Sequence, residues 1–343
     1  MLAKRDDGFD HKMSTTPTTL PRVHMIVLGG TITMMPQPSQ GIVPKLSGAD
    51  LVAAVPALAE VATISVETPF LIPGASISLS QLRGVSQLAQ AAIENGASGV
   101  VVVQGTDTID ETAFALDLAH DGDAPIVVTG AMRGADAPGA DGPANLLAAV
   151  LTACSAAARG LGALVVLNDE IHAARFVEKS HKALVSAFTS PAAAPLGTII
   201  EGAVRIALRP DRLPLLGAIP EFERVAIVKL GLGDDGTLIE AAAECGFAGL
   251  VIEGMGAGHV PAAAIPALEN VGKQLPLVLA SRVPSGPIFE RTYGFAGSEL
   301  DLLSRGLVPA GSLSATKARL LLGFLLGQGR DRVAIADIFR LYR

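Results

Sequence analysis

Tryptophan is absent from this 343-residue chain, and tyrosine occurs only twice. Aromatic side chains make up 4% of the residues, the net charge is −7, and the sequence contains no run of lysine and arginine. A protein that binds nucleic acid ordinarily offers a basic patch, and one that binds single strands also offers aromatic stacking surfaces. The composition therefore argues against a nucleic-acid partner.

Cysteines and long apolar runs are also scarce. Cys154 and Cys245 are too few for a disulfide framework or a zinc site, and their Ala-rich surroundings predict that both thiols are buried. Half of the residues are apolar, yet the densest run, residues 320–327, is far shorter than the ~18 residues of a membrane span. We therefore expect no association with a membrane.

The first 21 residues are polar, with mixed charges followed by Ser, Thr and Pro. They lack the ~7–15-residue apolar core of a signal peptide. We therefore predict a disordered tail over residues 1–21 and a cytoplasmic protein.

The rest of the chain alternates short β-branched runs with Ala- and Leu-rich stretches. The β-branched runs lack polar alternation, as do strands that are covered on both faces, so the pattern is typical of an α/β fold with a mostly parallel sheet. The predicted strands are residues 23–28, 61–68, 100–103, 126–129, 163–167, 225–230, 250–253 and 277–281. The predicted helices are residues 80–95, 109–120, 145–158, 238–245, 261–271 and 314–326.

Prolines and arginines crowd residues 203–222 without a helical period, which predicts a linker there. The chain then divides into a larger N-terminal α/β domain over residues 22–202 and a smaller C-terminal α/β domain over residues 223–343. We expect the N-terminal domain to be the catalytic one, since the motifs below begin in it.

The first candidate site is Gly29-Gly30-Thr31, directly after the first predicted strand. Paired glycines allow a sharp turn and the close approach of a ligand, and ligands of open α/β sheets bind at the carboxyl ends of strands. An ordinary strand-ending turn fits these residues equally well. Residues 34–47, rich in Pro, Gln and Ser, are long for a βα loop, as lids and binding loops often are.

The second candidate site is Gly105-Thr106-Asp107-Thr108, which follows the third predicted strand and opens a helix. A helix start offers free N–H groups and a positive dipole end, which suit a substrate carboxylate or a developing oxyanion. A capping box from Thr108 to Glu111 would explain the helix start alone. It leaves Gly105, Thr106 and Asp107 unexplained, and the Asp107 carboxylate suits a substrate ammonium.

Lys179 by itself fits an ordinary solvated surface charge. A buried lysine that loses its proton becomes a base toward a hydroxyl. Lys179 is therefore a candidate catalytic residue if folding brings it to Thr106.

Motifs for other chemistries are missing from the sequence. Residues 254–258 read GMGAG, which has neither the spacing of a dinucleotide loop nor its downstream acid, and no GxSxG elbow or GxxxxGK[ST] loop occurs. The six histidines show no metal-ligand spacing. We therefore expect neither a cofactor nor a metal.

Taken in order, the motifs around Thr31, Thr106 and Lys179 resemble those of the bacterial-type L-asparaginase/glutaminase family. The other matching strings are Gly130-Ala131-Met132-Arg133, Ala140-Asp141-Gly142-Pro143-Ala144-Asn145-Leu146, Ser281-Arg282-Val283-Pro284-Ser285-Gly286 and Lys317-Ala318-Arg319. The match runs from about residue 23 to the C-terminus. Each string is weak alone, but their order and spacing together are specific.

The resemblance implies a two-domain asparaginase-like fold and hydrolysis of the side-chain amide of L-asparagine to aspartate and ammonia, with room for a glutaminase side activity. Thr31 would be the nucleophile. Thr106, Asp107 and Lys179 would form a second hydroxyl-centred group that activates water or the nucleophile. Family members place each active site at a dimer interface, so the resemblance also implies a homodimer or homotetramer.

The resemblance also implies contacts to an amino-acid amide substrate. Asp107 would hold the α-ammonium, and Gly105 with a residue of the 73–76 stretch would hold the α-carboxylate. The residues expected to contact the substrate are Gly30, Ala75, Ser76, Gly105, Asp107 and Ala131.

Three positions depart from the family pattern. The lid stretch 40–43 has no tyrosine, residues 74–76 match the family's substrate serine poorly, and Gln104 replaces a common histidine. Our hypothesis is that Tyr293, or Glu290 beside it, reaches Thr31 of a neighbouring subunit in place of the lid tyrosine. The alternative is that Tyr293 merely packs with Phe295.

Two other functions stay open. Asparaginase-like amidotransferase subunits, which act on glutamine for tRNA charging, carry an extra domain before the first threonine motif, whereas Thr31 follows a short segment here. A non-catalytic binding or regulatory protein would fit the missing lid tyrosine. It would not explain why all four catalytic residue types are present.

Overall fold

The computed structural model describes residues 19–37, 41–44, 46–213 and 216–343. The strands of this part of the chain are β1 (Arg22–Val27), β2 (Met34–Gln37), β3 (Gly41–Pro44), β4 (Thr63–Glu67), β5 (Gly99–Val103), β6 (Ile126–Thr129), β7 (Ala163–Leu167), β8 (Glu170–Ala173), β9 (Glu178–Lys179), β10 (Phe188–Thr189), β11 (Gly197–Ile200), β12 (Ala203–Ile206), β13 (Val225–Lys229), β14 (Gly249–Gly254), β15 (Leu277–Ser281) and β16 (Val308–Pro309). The helices are α1 (Gly48–Ala53), α2 (Leu58–Val61), α3 (Leu79–Glu94), α4 (Ile109–Ala119), α5 (Gly142–Cys154), α6 (Thr237–Glu244), α7 (Ile265–Gly272), α8 (Glu299–Ser304), α9 (Ala315–Gly327) and α10 (Arg332–Phe339).

The large sheet has the order β12-β11-β8-β7-β6-β5-β1-β4 among the described residues. The five strands from β7 to β4 run parallel, and β8, β11 and β12 extend the sheet in antiparallel fashion. Alternate residues of β5 enter opposite cores, with Val100 and Val102 on one face and Val101 and Val103 on the other. Burial on both faces explains the unbroken apolar strands and confirms the predicted mostly parallel sheet.

The smaller domain contains a parallel sheet of order β13-β14-β15-β16. Its helix α9 is also part of the core on one face of the large sheet, where Leu320 and Phe324 join Phe114 of α4 in one apolar cluster. The rings of Phe114 and Tyr342 meet edge to face at 6.2 Å. The C-terminal domain therefore packs directly against the helix that follows Thr106.

The domain boundary differs from the sequence prediction. Residues 203–206, predicted as the start of the linker, form β12 and pair with β11 in the large sheet. This short strand contains Arg205 and is followed by Arg209 and Pro210, which mask its apolar character in the sequence. Most of the predicted tail, residues 1–18, lies outside the described residues.

The sequence prediction missed the short elements. The β2–β3 hairpin falls inside the lid segment 34–47, part of which lies outside the described residues, and β8 to β12 are short strands without a strong pattern. The prediction of two buried thiols is wrong for Cys245, which is exposed just after α6, whereas Cys154 is partly buried. No helix in the described ranges combines the length and apolarity needed to cross a bilayer.

Candidate active site

Three loops meet at the carboxyl end of the parallel strands. Gly30, after β1, has a φ of 90°, and a Cβ on it would lie 2.2 Å from the backbone nitrogen of Gly105, after β5. A Cβ on Gly105 would in turn lie 2.7 Å from the backbone nitrogen of Gly74. Conformation and contact both require glycine at position 30. The predicted site residues Thr31 and Thr106 therefore follow glycines whose backbones touch.

Thr31 begins a single 3-10 turn over Thr31–Thr33. The Thr33 hydroxyl, which is buried, donates a hydrogen bond of 2.8 Å to the Gly30 carbonyl. Ile32 is buried and packs close to Gly142, where a Cβ would lie 2.9 Å from Ile32 Cγ1. Thr31 is only partly buried beside these two fixed residues.

Lys179 lies at Thr106, as the sequence prediction required. Its Nζ donates hydrogen bonds of 2.8 Å to Thr106 Oγ1 and of 2.8 Å to Asp107 Oδ1. The Lys179 side chain is 18% exposed, whereas that of Asp107 is 65% exposed. Thr106 is buried. Lys179 Nζ therefore lies between a buried hydroxyl and a solvated carboxylate.

The backbone of Lys179 is anchored as well. It pairs with Phe188 in the two-stranded β9–β10 ladder, and its N–H donates to Asp110 Oδ2 at 3.2 Å. The other oxygen of Asp110 accepts the Glu111 N–H at 3.0 Å. Asp110 thus joins the first turn of α4 to β9. Sequence reasoning treated it only as part of a helix start, and no local signal marks this long-range contact.

The predicted capping box at Thr108 is wrong. The Thr108 hydroxyl donates to the Gly74 carbonyl at 3.0 Å and lies 3.2 Å from Gln104 Nε2, and it caps no N–H of α4. These longer-range partners occupy the hydroxyl, so it joins the loop at Gly74 to the loop at Gly105 instead. Gln104, which is fully buried, also donates to the Gly105 carbonyl at 3.3 Å.

The loop after β6 is held by the string that opens α5. Asp141 accepts the N–H groups of Met132 at 2.9 Å and Arg133 at 2.8 Å. Asn145 Nδ2 donates to the Gly130 carbonyl at 3.0 Å. The side chain of Ala131 between them is fully buried, so a contact of Ala131 with a substrate would have to involve its backbone.

Two more predicted substrate residues lie on the surface of the site. Ala75 and Ser76 belong to the 3-10 turn Gly74–Ser76, and both are exposed. Their turn begins at Gly74, which contacts Gly105, so they lie on the rim of the same three-loop junction. Among the described residues, at this site or away from it, no cluster of three or more His, Cys, Asp or Glu converges as metal ligands would.

A group of buried charges lies behind Lys179. Glu178 is paired with Lys317 at 2.9 Å, and Lys317 is fully buried. Burial raises the pKa of the Glu178 carboxyl above its usual value, against the opposing effect of Lys317. Burial, reinforced by the negative charge of Asp110, likewise raises the pKa of Glu111. The sequence matched Lys317 to a family string but did not connect it with the site.

Tyr293 is 43% exposed and packs within its own chain. Its ring centroid lies 5.0 Å from that of His259 and 6.1 Å from that of Phe295. The neighbouring Glu290 pairs with Arg343 at 2.9 Å. The packing with Phe295 expected as the alternative is therefore present, and a contact with another subunit's Thr31 stays a prediction.

Family models match both halves of the chain: "Asparaginase, N-terminal" over residues 22–212 and "Glutaminase/Asparaginase C-terminal domain" over residues 224–339. The chain is 36% identical to a probable L-asparaginase of Deinococcus radiodurans, across 94% of this chain and 98% of the relative. It is 33% identical to a glutamyl-tRNA(Gln) amidotransferase component of Aeropyrum pernix, across 93% of this chain and 78% of that relative. The crystal structure of a probable cytoplasmic L-asparaginase from Campylobacter jejuni superposes with a TM-score of 0.84 at 30% identity, covering 93% of this chain and 99% of the other. With both domains matched and the fold shared, the chain belongs to the asparaginase family.

Proposed function

We propose that this protein hydrolyses the side-chain amide of L-asparagine to aspartate and ammonia, with Thr31 as the nucleophile. The observation that carries the proposal is the contact of Lys179 Nζ with Thr106 Oγ1 at 2.8 Å, on the loop that touches the one carrying Thr31. Relatives named L-asparaginase and glutaminase-asparaginase support this substrate class.

In the first step, Thr31 Oγ attacks the amide carbon. A carbon–oxygen bond forms, the carbon–nitrogen bond breaks, and the hydroxyl proton leaves on the nitrogen as ammonia. Backbone N–H groups of the three-loop junction stabilise the developing oxyanion, because fixed donors lose no reorganisation energy during the reaction. The product of this step is an aspartyl ester on Thr31.

In the second step, water attacks the ester carbon. With Lys179 as the neutral amine, Thr106 Oγ1 takes the proton of the water and passes its own hydroxyl proton to Lys179 Nζ. The same path then returns a proton to the Thr31 oxygen as the ester bond breaks. Burial of Thr106 excludes bulk solvent from this transfer. The enzyme is regenerated without a cofactor or metal.

The substrate backbone would be held by the remaining predicted residues. The solvated Asp107 carboxylate binds the α-ammonium, while Gly105 and the exposed 75–76 turn bind the α-carboxylate. Gly30 and Ala131 shape the floor of the pocket. This arrangement leaves the carboxamide pointing at Thr31.

The same proposal includes a cytoplasmic homodimer or homotetramer in which Tyr293 or Glu290 contributes to a neighbouring Thr31. The name of the Campylobacter jejuni structure supports the location, although a Haemophilus influenzae relative at 32% identity is named as periplasmic. The exposed phenol of Tyr293 supports the contact between subunits.

The decisive assay measures ammonia release from L-asparagine, L-glutamine and their D-isomers. We expect turnover of L-asparagine that is unchanged by dialysis against a chelator. The Thr31→Ser variant, which keeps a hydroxyl, is the matched control for Thr31→Ala. Release from glutamine alone would favour the amidotransferase-like alternative, and binding of amino-acid amides without any release would favour the non-catalytic one.

A further inference from the structure

Lys317 is a fully buried lysine that belongs to the C-terminal domain but binds the N-terminal one. It lies in the first turn of α9, and its Nζ donates to the Val177 carbonyl, to the Arg175 carbonyl at 3.4 Å and to Glu178 Oε1 at 2.9 Å. Lysine is almost never fully buried unless it is paired. Every contact of this ammonium is with the segment that runs into Lys179.

The segment is thereby fixed from two sides. Asp110, at the start of α4, accepts the Lys179 N–H on one side. On the other side, Lys317 bonds to Arg175, Val177 and Glu178, three of the four residues that precede Lys179. A lysine side chain has four rotatable bonds, so the place of its ammonium depends on where its backbone is anchored. Displacing reacting groups by even about 1 Å costs on the order of a hundredfold in rate.

We propose that Lys317 is a positioning residue, through which the C-terminal domain of the same chain places Lys179 Nζ against Thr106. Lys317 touches neither Thr106 nor Asp107 in this structure, so it acts only through the β9 backbone and Glu178. The inference rests on the proposed function for its kinetic consequence. Its geometric consequence is independent of any substrate.

The electrostatics around β9 agree with this role. Lys317 offsets the Glu178 carboxylate, which also faces Asp110 and Glu111 from α4, and Arg319 from α9 acts on Glu111. Removing one member of a buried pair leaves the other charge uncompensated, which displaces its neighbours. The groups displaced here are the residues directly before Lys179.

The test compares Lys317→Met and Glu178→Gln with Lys229→Met. The control removes Lys229, a lysine of the same domain. Its side chain is 62% exposed, pairs with Glu253 at 3.4 Å and lies on β13, away from β9. The readouts are kcat and KM for L-asparagine, the Nζ–Oγ1 distance between Lys179 and Thr106 in crystals of each variant, and thermal unfolding.

We expect Lys317→Met to lower kcat about tenfold or more, with KM within about twofold, because the chemical step and not substrate binding depends on Lys179. Glu178→Gln should do the same to a smaller extent, and Lys229→Met should match the wild type. A Lys317→Met protein with wild-type kcat per folded molecule and an unchanged distance overturns the inference. If Lys317→Met does not fold, Glu178→Gln decides by the same two readouts. If the wild type releases no ammonia, the proposed function fails, and the crystal distances still decide the inference.

Discussion

Thr106 and Thr31 sit on touching loops but are held in different ways. Thr106 is buried and fixed by side chains, with Lys179 at 2.8 Å and Asp110 anchoring the lysine backbone. Thr31 is partly buried and fixed by its backbone, through the φ of 90° at Gly30 and the hydroxyl of Thr33. We call the part around Thr106 the electrostatic half of the site, because charged side chains hold it. The part around Thr31 is the conformational half, because its backbone conformation holds it.

The difference matches the two chemical steps. A nucleophile needs placement and free access to substrate, which a rigid turn provides. A group that moves protons needs tuned charges shielded from bulk water, which the second half provides. Substitutions in the two halves should therefore slow different steps of the reaction.

The largest expected effect is the removal of either hydroxyl. We expect Thr31→Ala and Thr106→Ala each to lower kcat at least about a thousandfold while the fold is retained, because each removes a reacting or proton-transferring oxygen. Thr31→Ser and Thr106→Ser should recover part of the activity. Near-normal turnover of either alanine variant in a steady-state ammonia assay removes that threonine from the mechanism.

Lys179→Met should come next, with kcat lowered about a hundredfold to ten-thousandfold, because it removes proton transfer through Thr106. Transfer of the aspartyl group to Thr31 should be slowed less than hydrolysis of the resulting ester. A rapid-quench measurement of the first turnover can show this difference. Lys182→Met, an exposed lysine three positions on, is the control. Equal slowing of both steps would remove the distinction between the halves.

The sequence predicted some features of these halves better than others. The strand-end glycines and the order of the Thr31, Thr106 and Lys179 motifs indicated the site because they are local signals at the ends of apolar strands. The sequence could not predict that Lys179 contacts Thr106. It gave only the condition that Lys179 is catalytic if the two meet, because Lys179 lies 72 positions after Asp107 and no local pattern relates them.

The contacts that hold Lys179 were not predicted at all. Asp110 and Lys317 act across 69 and 140 residues, respectively. Nothing local distinguishes them from a capping acid and a surface lysine. Similarly, the strand β9 has only two residues, which is too short for a recognisable alternation of apolar and polar residues. Its position is determined by tertiary packing and could not be predicted from the sequence.

Tyr293→Phe tests whether the conformational half is completed by a neighbouring subunit. If the phenol activates Thr31 in the neighbouring subunit, we expect kcat to fall about tenfold with little change in thermal stability, since the 43% exposed ring keeps its packing. Specific activity should also fall on dilution below the dimer dissociation constant. Phe295→Leu perturbs the same cluster without removing a hydroxyl, and equal kcat values for wild type and Tyr293→Phe would assign the tyrosine to packing alone.

The last expected effect concerns stability, and not activity, near β8 and β10. Burial lowers the pKa of His172 from 6.5 to about 4, and its Nδ1 lies 2.9 Å from Ser190 Oγ. The unfolded chain binds this proton more readily, so stability should be lost as pH falls from about 6.5 toward about 4, by roughly 3 kcal/mol. Urea unfolding at several pH values should show a smaller loss for His172→Gln than for the wild type. The same pH dependence in both would show that other groups cause it.

In the proposed reaction, a threonine ester forms on Thr31 and is hydrolysed with the help of Thr106. The direct measurement is peptide mass spectrometry of enzyme mixed with L-asparagine and quenched in acid, for the wild type and for Thr106→Ala. We expect an aspartyl group on the peptide that contains Thr31, at higher occupancy in Thr106→Ala because hydrolysis of the ester is slowed there. Turnover with the aspartyl group on Thr106, or with no adduct in either protein under single-turnover conditions, would contradict it.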